Sequence, residues 1–225
     1  MIQVSDVTLR YPNAEKDTLI ELSLHCPKGS YTLISGGTGS GKSTIFRMLS
    51  GELSPTSGSA KVGEFALDGK LTKNLAAYRR SIGLVFQDFR LLEEKTIGGN
   101  IAFALDILPK PGRYDSAKRL ASVLERFGLV EVRDQFPRAL SHGEQQRAAI
   151  ARAVVREPYV LIADDPTGQL DSGSANVIAD ILAREHERGM TVIVLTTEPT
   201  PLHQGRKDIR AFRLEQGRLL IDDQS

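Results

Sequence analysis

The chain has 225 residues, 40% hydrophobic and 25% charged, which is enough for one sizeable core and ordinary for a globular protein. Lys plus Arg total 29 against 28 Asp plus Glu. The resulting net charge of +1 removes the electrostatic case for a nucleic-acid partner, which needs a basic excess or stripe.

Taken from its start, the run Met1 to Asp6 has neither the basic stretch nor the apolar core of a signal peptide. No apolar run approaches the roughly 20 residues of a membrane span, so a cytoplasmic protein is expected, touching a membrane only through a partner. Apolar alternation in Ile2-Gln3-Val4 and from Ile20 to Leu24 predicts two half-buried strands. Cys26 is the single cysteine, which excludes an internal disulfide and reads as a small buried hydrophobe. Pro27-Lys28-Gly29 is a turn, and Tyr31 to Ile34 is a buried strand entering a glycine-rich loop. A helix follows over Lys42–Leu49, then a loop from Ser54 to Gly58 and one strand from Ala60 to Leu67. Ile82 to Phe86 reads as another buried strand.

From Thr96 to Arg156 the period is helical, with Ala117, Leu120, Ala121, Leu124 and Phe127 on one face. Ser141-x-x-Glu144 has the spacing of a capping box and opens a second helix. A strand over Tyr159–Ala163, a helix over Ser174–Arg188 and a strand over Thr191–Leu195 come next. The last element is a hairpin, Ile209–Leu214 and Arg218–Ile221, turning at Gln216-Gly217. Alternating strands and helices predict an α/β fold with a mostly parallel sheet, preceded by an antiparallel β portion. The all-helical middle predicts a helical subdomain, 88–156, inserted into a nucleotide-binding core of 1–87 and 157–225.

Gly36-Gly37-Thr38-Gly39-Ser40-Gly41-Lys42-Ser43-Thr44 fits the phosphate-binding pattern G-x-x-x-x-G-K-[ST]. Its glycines let backbone N–H groups converge on phosphates, and the helix N-terminus behind them adds partial positive charge. Lys42 is a mobile cation for the β- and γ-phosphates, and the Ser43 hydroxyl is a candidate Mg²⁺ ligand. Val160 to Asp165 is a buried strand delivering two carboxylates at its C-terminal end, where α/β sheets bind ligands. Asp164 fits the carboxylate that holds Mg²⁺, and Asp165 would stand by the γ-phosphate to orient water.

The segment Leu140-Ser141-His142-Gly143-Glu144-Gln145-Gln146-Arg147 resembles the signature of the ATP-binding-cassette (ABC) ATPases, usually LSGGQ or LSGGE followed by QQR. Ala163 to Asp171 is similar to that family's ADEPTGNLD, and Gln87 stands at its Q-loop. The resemblance spans essentially the whole chain and implies a P-loop NTPase fold of ABC type that binds ATP·Mg²⁺. It implies a head-to-tail homodimer in which Ser141, His142, Gly143 and Glu144, with Asp171 of the D-loop, face the nucleotide held by the other copy. Tyr11 matches the aromatic that stacks on adenine. Gln87 joins Lys42 and Asp165 as a catalytic candidate, and Ser43 and Asp164 as an Mg²⁺ ligand.

Inside the family, Ile82 to Leu92, with Lys95-Thr96 and Asn100 to Leu105 downstream, is similar to the bacterial cell-division ATPases. That likeness implies a homodimer bound to an integral membrane permease-like partner, FtsX, through which ATP-driven closure controls cell-wall hydrolases. The Ala163–Asp171 run is shared with lipoprotein-release and macrolide-efflux ATPases, which remain the alternative. P-loop kinases and GTPases leave the signature helix without a role, and no N-K-x-D is present.

Three positions depart from the family pattern. Asp165 replaces the usual glutamate and sets its carboxylate one methylene further from the attacking water, where a displacement of about 1 Å can cost on the order of 10²-fold. Thr197 stands at the switch histidine and carries no positive charge. His142 replaces the first signature glycine. ATP binding is therefore expected to be intact and hydrolysis in the isolated subunit slow. His25, His186 and His203 lack metal-ligand company, and Arg206, Lys207, Asp222 and Asp223 read as solvated surface.

Overall fold

The computed structural model describes residues 1–69, 74–107, 115–197, 199, 202 and 208–222; His203, Arg206, Lys207 and Asp223 lie outside them. The chain opens with β1 (Ile2–Leu9), β2 (Leu19–Cys26) and β3 (Tyr31–Ser35), followed by α1 (Lys42–Leu49). Next come β4 (Ser57–Val62), β5 (Phe65–Ala66), α2 (Leu75–Ser81) and β6 (Ile82–Val85). Three helices follow, α3 (Ile97–Asp106), α4 (Ser116–Arg126) and α5 (His142–Val154). The last elements are β7 (Val160–Asp164), α6 (Ser172–Glu187), β8 (Thr191–Thr196), β9 (Ile209–Glu215) and β10 (Arg218–Ile221).

These strands make two sheets. One is antiparallel, in the order β2-β1-β4-β5; the other runs β10-β9-β3-β8-β7-β6, parallel except at its β10 edge. The expected α/β architecture with an antiparallel N-terminal portion is the one observed. The central strands are buried on both faces, so they read as continuous apolar runs, and their period of two divides the core in half. Leu33, Leu161, Ala163, Val192 and Val194 face a cluster built with α3 to α6. Ile34, Val160, Ile162, Ile193 and Leu195 face α1 and the apolar side of the antiparallel sheet. Cys26 is fully buried in that second cluster, as its composition predicts.

Four local features differ from the sequence pattern. The single strand expected over Ala60–Leu67 is a hairpin, because Gly63 turns left-handed (φ 59) between β4 and β5. Ser57 and Gly58, expected in a loop, open β4; Gly58 also has a positive φ and abuts the Asp6 carbonyl, a fit only a residue without Cβ allows. Helix α2 has no counterpart in the pattern, since Tyr78 is its one buried residue and a seven-residue helix with one anchor shows no period; the anchor is fixed by its hydroxyl donating to the Leu49 carbonyl. On α4 the buried face holds Val123 and Leu124, with Phe127 just beyond, while Ala117 and Ala121 are exposed.

Helices α4 and α6 are joined by an ion pair, Arg126 Nε to Glu185 Oε1 at 3.4 Å, in which Glu185 is almost wholly buried. Burial pushes the Glu185 carboxyl up against the opposing pull of Arg126. Removing one partner leaves the other charge under-solvated. Glu185→Ala is therefore expected to lower the unfolding free energy by about 2 kcal/mol, discounted from a fully buried pair because Arg126 keeps some solvent. Urea denaturation would show this as a lower midpoint at unchanged slope.

Candidate active site

Strand β3 ends at Ser35 in the middle of the parallel sheet, and the loop from Gly36 to Gly41 turns straight into α1. Gly41 caps that helix in a left-handed conformation (φ 111), with no side chain to satisfy the first N–H groups. The helix is thus left open to an anion. Lys42 is buried, and its Nζ donates to the carbonyls of Gly36 (2.7 Å) and Gly37 (2.8 Å), so the ammonium is parked on its own loop. Burial holds it below the ordinary lysine range, although Asp165 and Asp164 pull the other way. Ser40 Oγ is buried inside the loop and has no hydrogen-bond partner among the described residues.

A cleft of about 320 Å³ opens in front of this loop. Thr38, Gly39, Gly41, Lys42, Ser43 and Thr44 form its floor, with Gln87, Asp164, Asp165 and Thr197 on the opposite wall and Thr18 at the rim. Asp164 ends β7 almost fully buried; desolvation raises its carboxyl, and a hydrogen bond from Ser43 works against that. Asp165 turns left-handed (φ 45) immediately after the strand, which breaks the strand's two-residue alternation of side chains at this point. Gln87 Nε2 donates to Asp165 Oδ2 at 3.3 Å, and the other donors on this carboxylate come from Thr196 and Thr197 at the end of β8.

The donor chemistry fits a nucleotide phosphate with Mg²⁺. An unpartnered buried hydroxyl (Ser40), an open helix N-terminus and a lysine held only by carbonyls all await an anion. Ser43, Asp164 and Gln87 present a hydroxyl, a carboxylate and an amide to one cleft, the hard oxygen set that Mg²⁺ takes beside phosphates and water. A buried carboxylate raised by desolvation is stabilised by such a cation.

Tyr11 stands beside the first turn of α1, its hydroxyl 3.2 Å from Thr44 Oγ1 and the Arg47 guanidinium 5.7 Å from its ring centre. Ser141, His142, Gly143, Glu144 and Asp171 do not line this cleft. They come together elsewhere. Ser141 caps α5 in a reciprocal box with Glu144, whose carboxyl is held low first by the Ser141 hydroxyl. Asp171 caps α6 through Ser174, at 3.0 Å to its N–H and 2.7 Å to its hydroxyl. A Cβ on Gly143 would sit 2.9 Å from Ser174 Oγ, so the first turns of α5 and α6 touch because Gly143 has no side chain.

Between the two groups runs the segment after Gln87. Phe89 (φ 58) and Arg90 (φ 48) are consecutive left-handed residues, each costing roughly 1–2 kcal/mol in an ordinary chain. Arg152 of α5 offsets that cost by donating to both of their carbonyls, and burial alone lowers its guanidinium to about 10. The Phe89 ring also tilts against His142 at 5.8 Å. Sequence reasoning missed Arg152, Thr196, Thr18 and Gly168; an arginine set among Ile150, Ala151, Ala153 and Val154 late in the signature helix is the one signal it could have used.

Fold and cleft together define a P-loop ATPase. The profile of the ABC transporter family matches residues 19–168, and the chain belongs to that family. It is 40% identical to the cell division ATP-binding protein FtsE of Mycobacterium tuberculosis, covering 100% of this chain and 96% of the relative. A methionine import ATP-binding protein, MetN of Carboxydothermus hydrogenoformans, is 36% identical over 88% of this chain but only 59% of its own length. Among solved structures, the dimeric ATP-binding cassette MJ0796 in a post-hydrolysis state with ADP and Pi superposes with a TM-score of 0.86 at 30% identity, covering 97% and 96% of the two chains.

Proposed function

We propose that this chain is an FtsE-type subunit: two copies close around two ATP·Mg²⁺ and drive an FtsX-type membrane partner that controls septal cell-wall hydrolysis. One observation carries the dimer. The signature residues are assembled and capped, yet stand outside the cleft that holds Lys42 and Asp164 in the same chain. A second copy placed head to tail brings them to the phosphate, and the cassette MJ0796 is itself a dimer with ADP and Pi bound. The near-complete length match to FtsE, against the partial match to MetN, favours the cell-division partner.

In this reading Tyr11 packs on the adenine. The loop N–H groups from Gly36 to Thr44 and Lys42 hold the phosphates, with Lys42 leaving the Gly36 and Gly37 carbonyls to do so. Ser43, Asp164 and Gln87 would hold Mg²⁺, whose positive charge would offset the negative charge of the phosphates. Asp165 orients the attacking water, and Ser141 and the Gly143 N–H of the other copy stabilise the developing charge. Residues 88–156 form the helical lobe that carries the signature. The recess of about 510 Å³ that shares Ser43, Gln87 and Asp164 with the nucleotide cleft receives the partner at its outer wall of Phe46, Phe86, Asp88 and Arg90. The protein then works at the cytoplasmic face of the membrane, attached only through that partner, with no role for nucleic acid; no helix among the described residues is long and apolar enough to cross a membrane.

The test is co-expression with the cognate FtsX, with mass measurement of the ATP-saturated complex after detergent extraction. A complex holding two copies of this chain is the expected result. Purification with a lipoprotein-release or macrolide-efflux permease instead would move the assignment to that branch. A strictly monomeric chain under ATP, with the permease present, would end the proposal.

A further inference from the structure

Thr197 occupies the switch position but cannot act as the missing histidine, and the structure gives it a different task. Asp165 Oδ1 accepts from Thr196 Oγ1 at 3.2 Å, from the Thr197 N–H at 3.3 Å and from Thr197 Oγ1 at 3.4 Å. Oδ2 faces Gln87 Nε2 at 3.3 Å, with Thr197 Oγ1 at a marginal 3.5 Å. The Thr196 hydroxyl and the Thr197 N–H thus engage Oδ1, Gln87 engages Oδ2, and the Thr197 hydroxyl bridges the two oxygens. Gly168 packs against the carboxylate on its Oδ2 side, where a Cβ would overlap that oxygen. The left-handed backbone at Asp165 (φ 45) aims the side chain at these donors, and its N–H is itself tied to the Leu195 carbonyl at 2.7 Å.

A glutamate would carry its carboxylate one methylene beyond the Thr196 and Thr197 donors. A histidine at 197 would remove the hydroxyl that reaches the shorter acid. We infer that Thr197 is a positioning residue: its N–H holds Oδ1 of Asp165 and its hydroxyl bridges both oxygens, which fixes the plane of the carboxylate with Oδ2 beside Gln87, and aspartate and threonine form a matched pair. Holding the reacting oxygen in one orientation is the service a short carboxylate needs, because hydrolysis depends on near-attack geometry. This rests on the reading of Asp165 as the residue that orients water.

The experiment is single-turnover hydrolysis of ATP by the assembled complex, alongside titration with a fluorescent ATP analogue. Thr197→Val keeps shape and removes the hydroxyl. It is expected to lower the hydrolysis rate about tenfold, the value of one hydrogen bond, with ATP affinity unchanged. Thr197→Ser restores the rate to within about twofold, within the scatter of one such bond. In an Asp165→Asn background Thr197→Val should cost nothing further, since the two changes then act on the same step. A crystal structure of Thr197→Val should show the carboxylate turned away from Thr196. Wild-type turnover in Thr197→Val, an equal loss of ATP affinity, or a full additional loss in the Asp165→Asn background would each overturn the inference. Undiminished turnover by Asp165→Asn alone would instead remove the catalytic reading beneath it.

Discussion

The substitution Asp165→Asn is expected to cut ATP turnover by about 10²–10³-fold, the range that loss of a positioned general base produces. ATP binding should survive, because Lys42, Ser43 and Asp164 all remain in the cleft. The ATP-bound dimer should therefore accumulate. The amide keeps the shape of the side chain and one acceptor oxygen for the Thr196 and Thr197 donors, so folding should be unaffected. Phosphate release measured under single turnover, with the mass of the nucleotide-loaded species, checks both halves. Equal phosphate release by wild type and D165N would show that another group orients the water. The extension Asp165→Glu is not expected to act as a simple gain, because the longer acid overshoots the donors at 196 and 197.

Removing the ammonium in Lys42→Ala should weaken ATP binding by about 100-fold, close to 2.7 kcal/mol and within the range of hydrogen bonds to charged groups. The wild-type ammonium is buried and already desolvated, so it gains the phosphates at the cost of exchanging the two carbonyls 2.7 and 2.8 Å away and not of losing a full water shell. Asp164 and Asp165 are left without their nearest cation, which adds repulsion toward the incoming nucleotide. Gly37 is exposed and Gly36 half-buried, so their carbonyls can rehydrate and the unfolding midpoint should move little. Fluorescent-nucleotide titration reads the affinity. An unchanged dissociation constant would mean that the loop N–H groups alone hold the phosphates.

Much of the fold was legible because its signals are local. Alternation marked β1 and β2, continuous apolar runs marked β3, β7 and β8, and Gln216-Gly217 marked the final turn, where both residues are left-handed. What escaped depended on distant contacts. The approach of Gly58 to Asp6 and the anchoring of Tyr78 on Leu49 are decided by neighbours about 52 and 29 positions away, and no window of sequence contains them. At the site, the loop from Gly36 to Thr44 and the pair Asp164-Asp165 could be read because each is contiguous. Thr197 could be read only as a missing histidine. Its part in holding Asp165 requires the register of β8 against β7, which sets Leu195 beside Asp164 and so brings the residues just beyond both strands together.

The left-handed pair at Phe89 and Arg90 has a mechanical consequence. A segment already displaced from its preferred backbone well and pinned at both carbonyls has no slack with which to absorb motion from Gln87. A shift of that glutamine would bear on Arg152, which lies about 15 Å along α5 from His142 at 1.5 Å per residue. The helix then behaves as a lever arm, with its handle at Arg152 and Ser141 at its tip. If two copies close as proposed, occupancy of one cleft would set the angle at which the chain offers its signature to the other.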